Sequence, residues 1–250
     1  MPDTSQSLAP LGLPPILAPE NTILLDFDGT LVDIADHPDG VVVDPALAVL
    51  IARLVGTFRG RVALVSGRSV AQIDALFGAA LDGVATVGSH GAEIRTGLQR
   101  SAPTRPPALV GAEDLIRAAF ENVAGVVVEV KTLGVAVHYR MAPDVERTAR
   151  ALVEQISAES GLALQEGKMM LELRTAGHDK GTGIAALMAQ APFAGTVPVF
   201  AGDDVTDEAG FAAVTAFGGY GVLVGPDRPT AAKYRLPDVA AVRAWLEQAV

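Results

Sequence analysis

Cysteine is absent from the 250 residues. That excludes disulfide scaffolds, thiol nucleophiles and Cys-based zinc sites, and it fits a reducing compartment. Histidine is scarce, and His37, His138 and His178 do not stand at the spacing of a zinc site. Positive charge is in deficit: 19 Lys and Arg against 29 Asp and Glu leave a formal net charge of -10. A nucleic-acid binder would show a basic face, so nucleic acid is not expected among the partners. An anionic substrate would have to be held by local cations against the overall field. No apolar run is long enough to span a bilayer. The first twenty residues, MPDTSQSLAPLGLPPILAPE, lack the basic and apolar regions of a signal peptide. A cytoplasmic monomer without membrane association is the expectation, with residues 1–20 as a flexible lead-in.

What is present is apolar. Half of the residues are hydrophobic and only 19% are charged, enough for a sizeable core without cross-links. Short apolar strands alternate with amphipathic helices. Strands are expected at 23–27, 61–65, 84–87, 197–201 and 221–225, and helices at 46–55, 69–77, 183–190, 206–214 and 239–249. Continuous apolar strands separated by helices predict an α/β fold with a parallel sheet covered on both faces. The middle differs. After the Pro-rich stretch SAPTRPP, helices near 111–122 and 144–159 accompany strands at 126–131, 135–140, 162–166 and 168–174. The short turn TLG marks a hairpin. The expected division is a core of residues 21–100 and 175–250, interrupted by an antiparallel α+β insert at 101–174. Gly218-Gly219-Tyr220-Gly221 precedes its strand instead of following it, so it is not a dinucleotide loop.

The chemistry lies at the strand ends. In ILLDFDGTL, residues 23–31, an apolar run stops at two carboxylates, Asp26 and Asp28. Strand 61–65 ends at Ser66. Strand 197–201 ends at Gly202-Asp203-Asp204, with Asp207 one turn on, and Lys180 opens the helix before it. Ligands of open parallel sheets bind beyond the carboxyl ends of the strands. Clustered carboxylates need a cation, and an all-oxygen donor set suits Mg2+, which commonly shares a substrate phosphate. An ionised Asp is a competent nucleophile toward phosphorus. Asp28 is spaced to move protons for it, and Ser66 and Lys180 can neutralise phosphoryl oxygens. Taken singly these residues have plainer uses. Asp28-Gly29-Thr30 could be a turn, Ser66 a helix cap, Lys180 a surface lysine, and Asp203 or Asp204 a cap for the following helix.

The ordered set DFDGT, VSGR, DKG and GDDVTD resembles the haloacid dehalogenase (HAD) superfamily of phosphotransferases. The resemblance implies a Rossmann-like core, with Asp26 as nucleophile and Asp28 as general acid/base. It implies that Ser66 and Lys180 bind the phosphoryl group, with Gly29, Gly67 and Arg68 beside it. The Mg2+ ligands would be Asp26, Asp203 and the backbone carbonyl of Asp28, with Asp204 or Asp207 binding directly or through water.

Strand alternation puts Glu129 and Lys131 on one face of the insert, His138 and Arg140 on one face, and Lys168 and Glu172 on one face. A solvated sheet face would look the same on any one strand. Together the mixed donors and acceptors suit sugar hydroxyls. These ExK, HxR and GKxxLE patterns, with VGSHGAEIR, resemble the trehalose-6-phosphate phosphatases. That resemblance implies a C2-type cap. In it Glu129, Lys131, Arg140, Lys168 and Glu172 grip a sugar phosphate, joined by His138, while His90 and Gly91 line the floor. It implies hydrolysis of trehalose 6-phosphate in trehalose biosynthesis. Sucrose phosphate, a mannosyl phosphoglycerate or a phosphohexomutase reaction are the alternatives.

Overall fold

In the computed structural model residues 11–35 and 40–250 are described; His37 and the first half of the expected lead-in fall outside them. Residues 11–20 contain no helix or strand, yet Leu17 is buried and the Trp245 indole N–H donates to the Pro15 carbonyl at 2.8 Å. Gly12 accepts from the Arg235 amide at 3.0 Å.

Strand β1, Asn21–Leu25, is buried along its whole length, which its uninterrupted apolar end allows. It pairs in parallel with β2 (Val62–Val65) on one side and β10 (Val197–Gly202) on the other. The parallel array continues through β3 (Ala85–Gly88) on the β2 side. On the β10 side it continues through β11 (Tyr220–Val224) and β12 (Tyr234–Leu236). Two antiparallel strands, β4 (Glu93–Thr96) and β5 (Gln99–Ser101), extend the edge, giving the order β12-β11-β10-β1-β2-β3-β4-β5.

Alternation sorts the β1 side chains between two helical layers. Ile23 and Leu25 pack with residues of α1 (Pro45–Thr57), α2 (Val70–Phe77) and α7 (Val239–Glu247). Leu24 packs with residues of α5 (Lys180–Met188) and α6 (Glu208–Ala216). Gly219 has a packing role: a Cβ there would lie 1.7 Å from the Pro198 carbonyl oxygen.

A second sheet is wholly antiparallel. Its strands β6 (Val127–Lys131), β7 (Gly134–His138), β8 (Ala163–Gly167) and β9 (Met170–Arg174) run in the order β6-β7-β9-β8. Helices α3 (Pro107–Phe120) and α4 (Glu146–Ser160) pack with its Val135, Val137, Leu171 and Leu173 in a separate core. The register places Glu129, Ala136, Glu172 and Gln165 in one row across the opposite face. Strand β9 begins at Met170, so Lys168 is not on it. Lys168 and Met169 form the two-residue turn between β8 and β9, with Met169 at φ +60°, a left-handed conformation uncommon outside glycine. Arg140 likewise follows the end of β7.

Candidate active site

Register builds the site. Leu25 is level with Ala201 of β10 and Leu64 of β2, so the residues after all three strands emerge at one edge. Asp26 comes from β1, Ser66 from β2 and Asp203 from β10. Gly29 adopts φ +84°, and a Cβ there would lie 2.4 Å from an Asp203 carboxylate oxygen. Only glycine lets this loop pass so close to the acid.

Lys180 opens α5 next to this edge and is 3% exposed. Its ammonium donates to Asp26 at 2.8 Å and to Asp207 at 2.6 Å. Single oxygens of Asp26, Asp203 and Asp207 all lie within 4.8 Å of one another. Burial, with the charges of Asp207 and Asp203 added, pushes the Asp26 carboxyl well above the usual carboxylate range despite Lys180. Burial raises Asp207 as well. The Lys180 ammonium is raised: burial opposes its charge, but Asp207 and Asp26 outweigh it. Three acids against this one buried ammonium leave room for a further cation. Asp204 is not in the cluster. Its carboxylate accepts from the Val205 amide at 2.7 Å, and its own N–H donates to Asp207 at 2.9 Å. It caps the turn that leads into α6.

Asp28 lines the same cavity as Asp26. Arg68 grips Asp28 by a two-pronged fork, Nε to Oδ2 at 2.7 Å and Nη2 to Oδ1 at 2.8 Å. Ser66 is buried, and its hydroxyl oxygen accepts from the Arg68 amide at 3.1 Å. His90 is held at φ +53° after Ser89 at φ +48°. A Cβ on Gly67 would lie 2.6 Å from the His90 ring, so the glycine makes space for it. Burial lowers the His90 pKa, with Lys131 and Lys180 adding to the effect.

The second sheet closes over this edge. One cavity of about 190 Å³ is lined by Asp26, Asp28, Ser66, Gly67, Arg68, His90, Lys180, Asp203 and Asp204, and from the second sheet by Glu129, Lys131, His138, Arg140 and Lys168. Lys168, at its hairpin tip, donates to Asp203 at 2.7 Å. Glu129 accepts from His138 at 2.8 Å and from Gln72 at 2.6 Å. Burial would raise the Glu129 pKa, but the His138 hydrogen bond and the Lys131 charge bring it to about 2.

Four residues expected at the ligand or metal do not line the cavity. Glu172 is buried behind it, taking a 2.5 Å hydrogen bond from Lys131, with His90 at 3.6 Å. Burial disfavours its charge, but Lys131 and His90 hold its pKa at about 2. Gly134 makes this possible, since a Cβ there would lie 2.4 Å from Glu172 Oε1. Gly91, at φ +98°, lets the turn touch the start of α5, where a Cβ would lie 2.0 Å from the Asp179 carbonyl. Gly29 sits against the acid cluster, and Asp207 is part of it.

The pattern of the trehalose-phosphatase family matches residues 24–240. The trehalose-6-phosphate phosphatase of Escherichia coli is 38% identical over 242 residues, covering 95% of this chain and 90% of that protein. The chain belongs to the trehalose-phosphatase family. A crystal structure titled as a trehalose-6-phosphate phosphatase related protein superposes with TM-score 0.75 at 31% identity, over 90% of this chain and 95% of that one. A HAD/COF-like hydrolase structure from Plasmodium vivax superposes at TM-score 0.66 and 18% identity, over 92% and 94% of the two chains. At that identity it speaks for the fold alone, which is HAD-like.

Two residues of this family member were not foreseen. Gln72 reaches from α2 to Glu129. Its signal was the S-x-x-Q spacing of a capping box, which says nothing of a second partner. Glu93 is buried and accepts from the Ser89 hydroxyl at 2.5 Å and the Val70 amide at 3.3 Å. It ties down the strained turn that aims His90.

Proposed function

We propose that this protein hydrolyses trehalose 6-phosphate to trehalose and phosphate, with Mg2+ as cofactor and a phosphoryl group carried on Asp26. The convergence of Asp26, Asp203, Asp207 and Lys180 beneath a charged sheet face carries the reading, and family membership supplies the substrate class. The donor set fits the ion: three carboxylates on one edge, all oxygen, with too little positive charge among them. Asp26, Asp203 and Asp207 would hold it. There it would offset carboxylate charge and the charge on the transferring phosphoryl oxygens.

Asp26 attacks phosphorus, forming its O–P bond as the bond to the sugar oxygen breaks. Lys180, at 2.8 Å, orients its carboxylate. Asp28 gives its proton to the departing oxygen, then takes one from the water that cleaves the Asp26 phosphate. One prong of the Arg68 fork must yield for this. The second sheet acts as a cap, and Glu129, Lys131 and Arg140 face the sugar. Glu172 supports Lys131 from behind. A cavity of about 190 Å³ is below the ~300 Å³ at which small-molecule sites usually begin, so a disaccharide enters with the cap lifted.

The test is phosphate release from trehalose 6-phosphate, sucrose phosphate, a mannosyl phosphoglycerate and glucose 6-phosphate, each with Mg2+ and with excess chelator. Trehalose 6-phosphate should be turned over fastest, and only with Mg2+. Isomerised hexose phosphate without released phosphate would make the protein a mutase. Full activity in chelator would remove the metal from the account.

A further inference from the structure

Gln72 occupies the third position of α2 and serves two partners at once. Its side-chain carbonyl accepts from the Ser69 amide at 2.9 Å. Its amide nitrogen donates to Glu129 Oε1 at 2.6 Å. The two bonds fix which way the amide points. Flipping it would set oxygen against a carboxylate and nitrogen against an N–H, losing both. Helix α2 is also the element that follows Ser66 and Arg68 without a break. The phosphoryl edge and the cap are therefore joined by one short path: Ser66, Arg68, Ser69, Gln72, Glu129. On the cap side, the other Glu129 oxygen is taken by His138 at 2.8 Å, so both oxygens are fixed. Gln72 itself does not line the cavity.

We propose that Gln72 is a positioning residue that sets substrate selectivity. It docks the cap on the core through Glu129 and so fixes the distance from the phosphoryl site to the sugar-binding face. The inference rests on the reading of the second sheet as a substrate-binding cap. A substrate too small to reach the cap does not depend on Gln72. A sugar phosphate does.

The decisive variant is Gln72→Glu. A glutamate at this position keeps the capping box, so α2 stays capped. It replaces the donor by a second carboxylate facing Glu129, and two such groups at hydrogen-bond distance repel. The expected result is a protein that keeps its helix content by circular dichroism, with kcat/KM for the sugar phosphate lower by about tenfold, the scale of one hydrogen bond to a charged group. Hydrolysis of p-nitrophenyl phosphate should be unchanged. In a Glu129→Gln background, where residue 129 carries a donor, the same substitution should cost less than about twofold. As a control, Ser69→Ala weakens the cap of α2 but leaves the bond to Glu129. It should lower the melting temperature and leave the ratio between the two substrates alone. Equal losses on both substrates, no loss on the sugar phosphate, or the same loss in both backgrounds would overturn the proposal. The large substrate is whichever sugar phosphate the unmodified enzyme turns over fastest. If that is not trehalose 6-phosphate, the substrate reading fails and the positioning test runs unchanged.

Discussion

Lys180 carries the highest stakes of any single side chain here. It is the one buried ammonium that Asp26 and Asp207 share. Removing one partner of a buried ion pair typically costs 3–5 kcal/mol. Lys180→Met should therefore lower unfolding free energy by about 3–5 kcal/mol in urea titrations at neutral pH, besides ending activity. The acid cluster predicts the opposite response to metal. Mg2+ at about a hundred times its dissociation constant should stabilise the fold by ~2.7 kcal/mol, read as a higher melting temperature. Asp203→Asn should diminish that shift. Gly29→Ala should prevent it as well, because its Cβ would collide with the Asp203 carboxylate. At this scale the sequence was informative about residue type but not about direction. Asp204 and Asp207 are both plausible ligands by spacing. In the structure an Asp207 oxygen groups with Asp26 and Asp203 and takes a bond from Lys180, whereas Asp204 caps the turn at Val205. Arg68, expected beside the phosphoryl group, lines the cavity and forks on Asp28, a contact that spacing alone did not suggest.

Among the elements, the strands with both faces buried were the legible ones. β1, β2, β3, β10 and β11 are apolar runs, and their parallel pairing follows from the helices between them. β4, β5 and β12 escaped because they are short and mixed. Gln99–Ser101 is exposed at every position, so no apolar period marks it. The hairpin between β8 and β9 was misread by extending the strand through Lys168. A two-residue turn with a left-handed Met169 leaves no Gly or Asn to announce it. The polar face of the second sheet gives a pH prediction. Glu129 and Glu172 titrate at about 2 when folded against an ordinary 4.5. The unfolded chain binds more protons between those values. Their contribution is present above pH 4.5 and lost as pH falls toward 2. Melting temperature should fall across that window, and Glu172→Gln should make the fall shallower. The same variant should be less stable at neutral pH, since buried Lys131 loses its partner carboxylate.

At the scale of the whole molecule, function comes from two sheets with different tasks. The parallel sheet brings Asp26, Ser66 and Asp203 from distant segments to one edge through its register. The antiparallel sheet presents a charged face to that edge, and Lys168 to Asp203 and Gln72 to Glu129 bridge the two. This closure was not legible in the sequence, because a contact such as Gln72 to Glu129 joins residues 57 positions apart with no shared pattern. Among the described residues no helix is long and apolar enough to cross a membrane.

The central claim is that Asp26 carries the phosphate and Asp28 moves the protons. Rapid-quench mass spectrometry of the unmodified protein with trehalose 6-phosphate and Mg2+ tests it most directly, with Asp28→Asn expected to slow both the formation and the loss of the phosphoenzyme. The account predicts one phosphoryl group on the peptide containing Asp26, and neither phosphoenzyme nor released phosphate from a folded Asp26→Asn variant. Phosphate released by Asp26→Asn at a rate near that of the unmodified protein would contradict it.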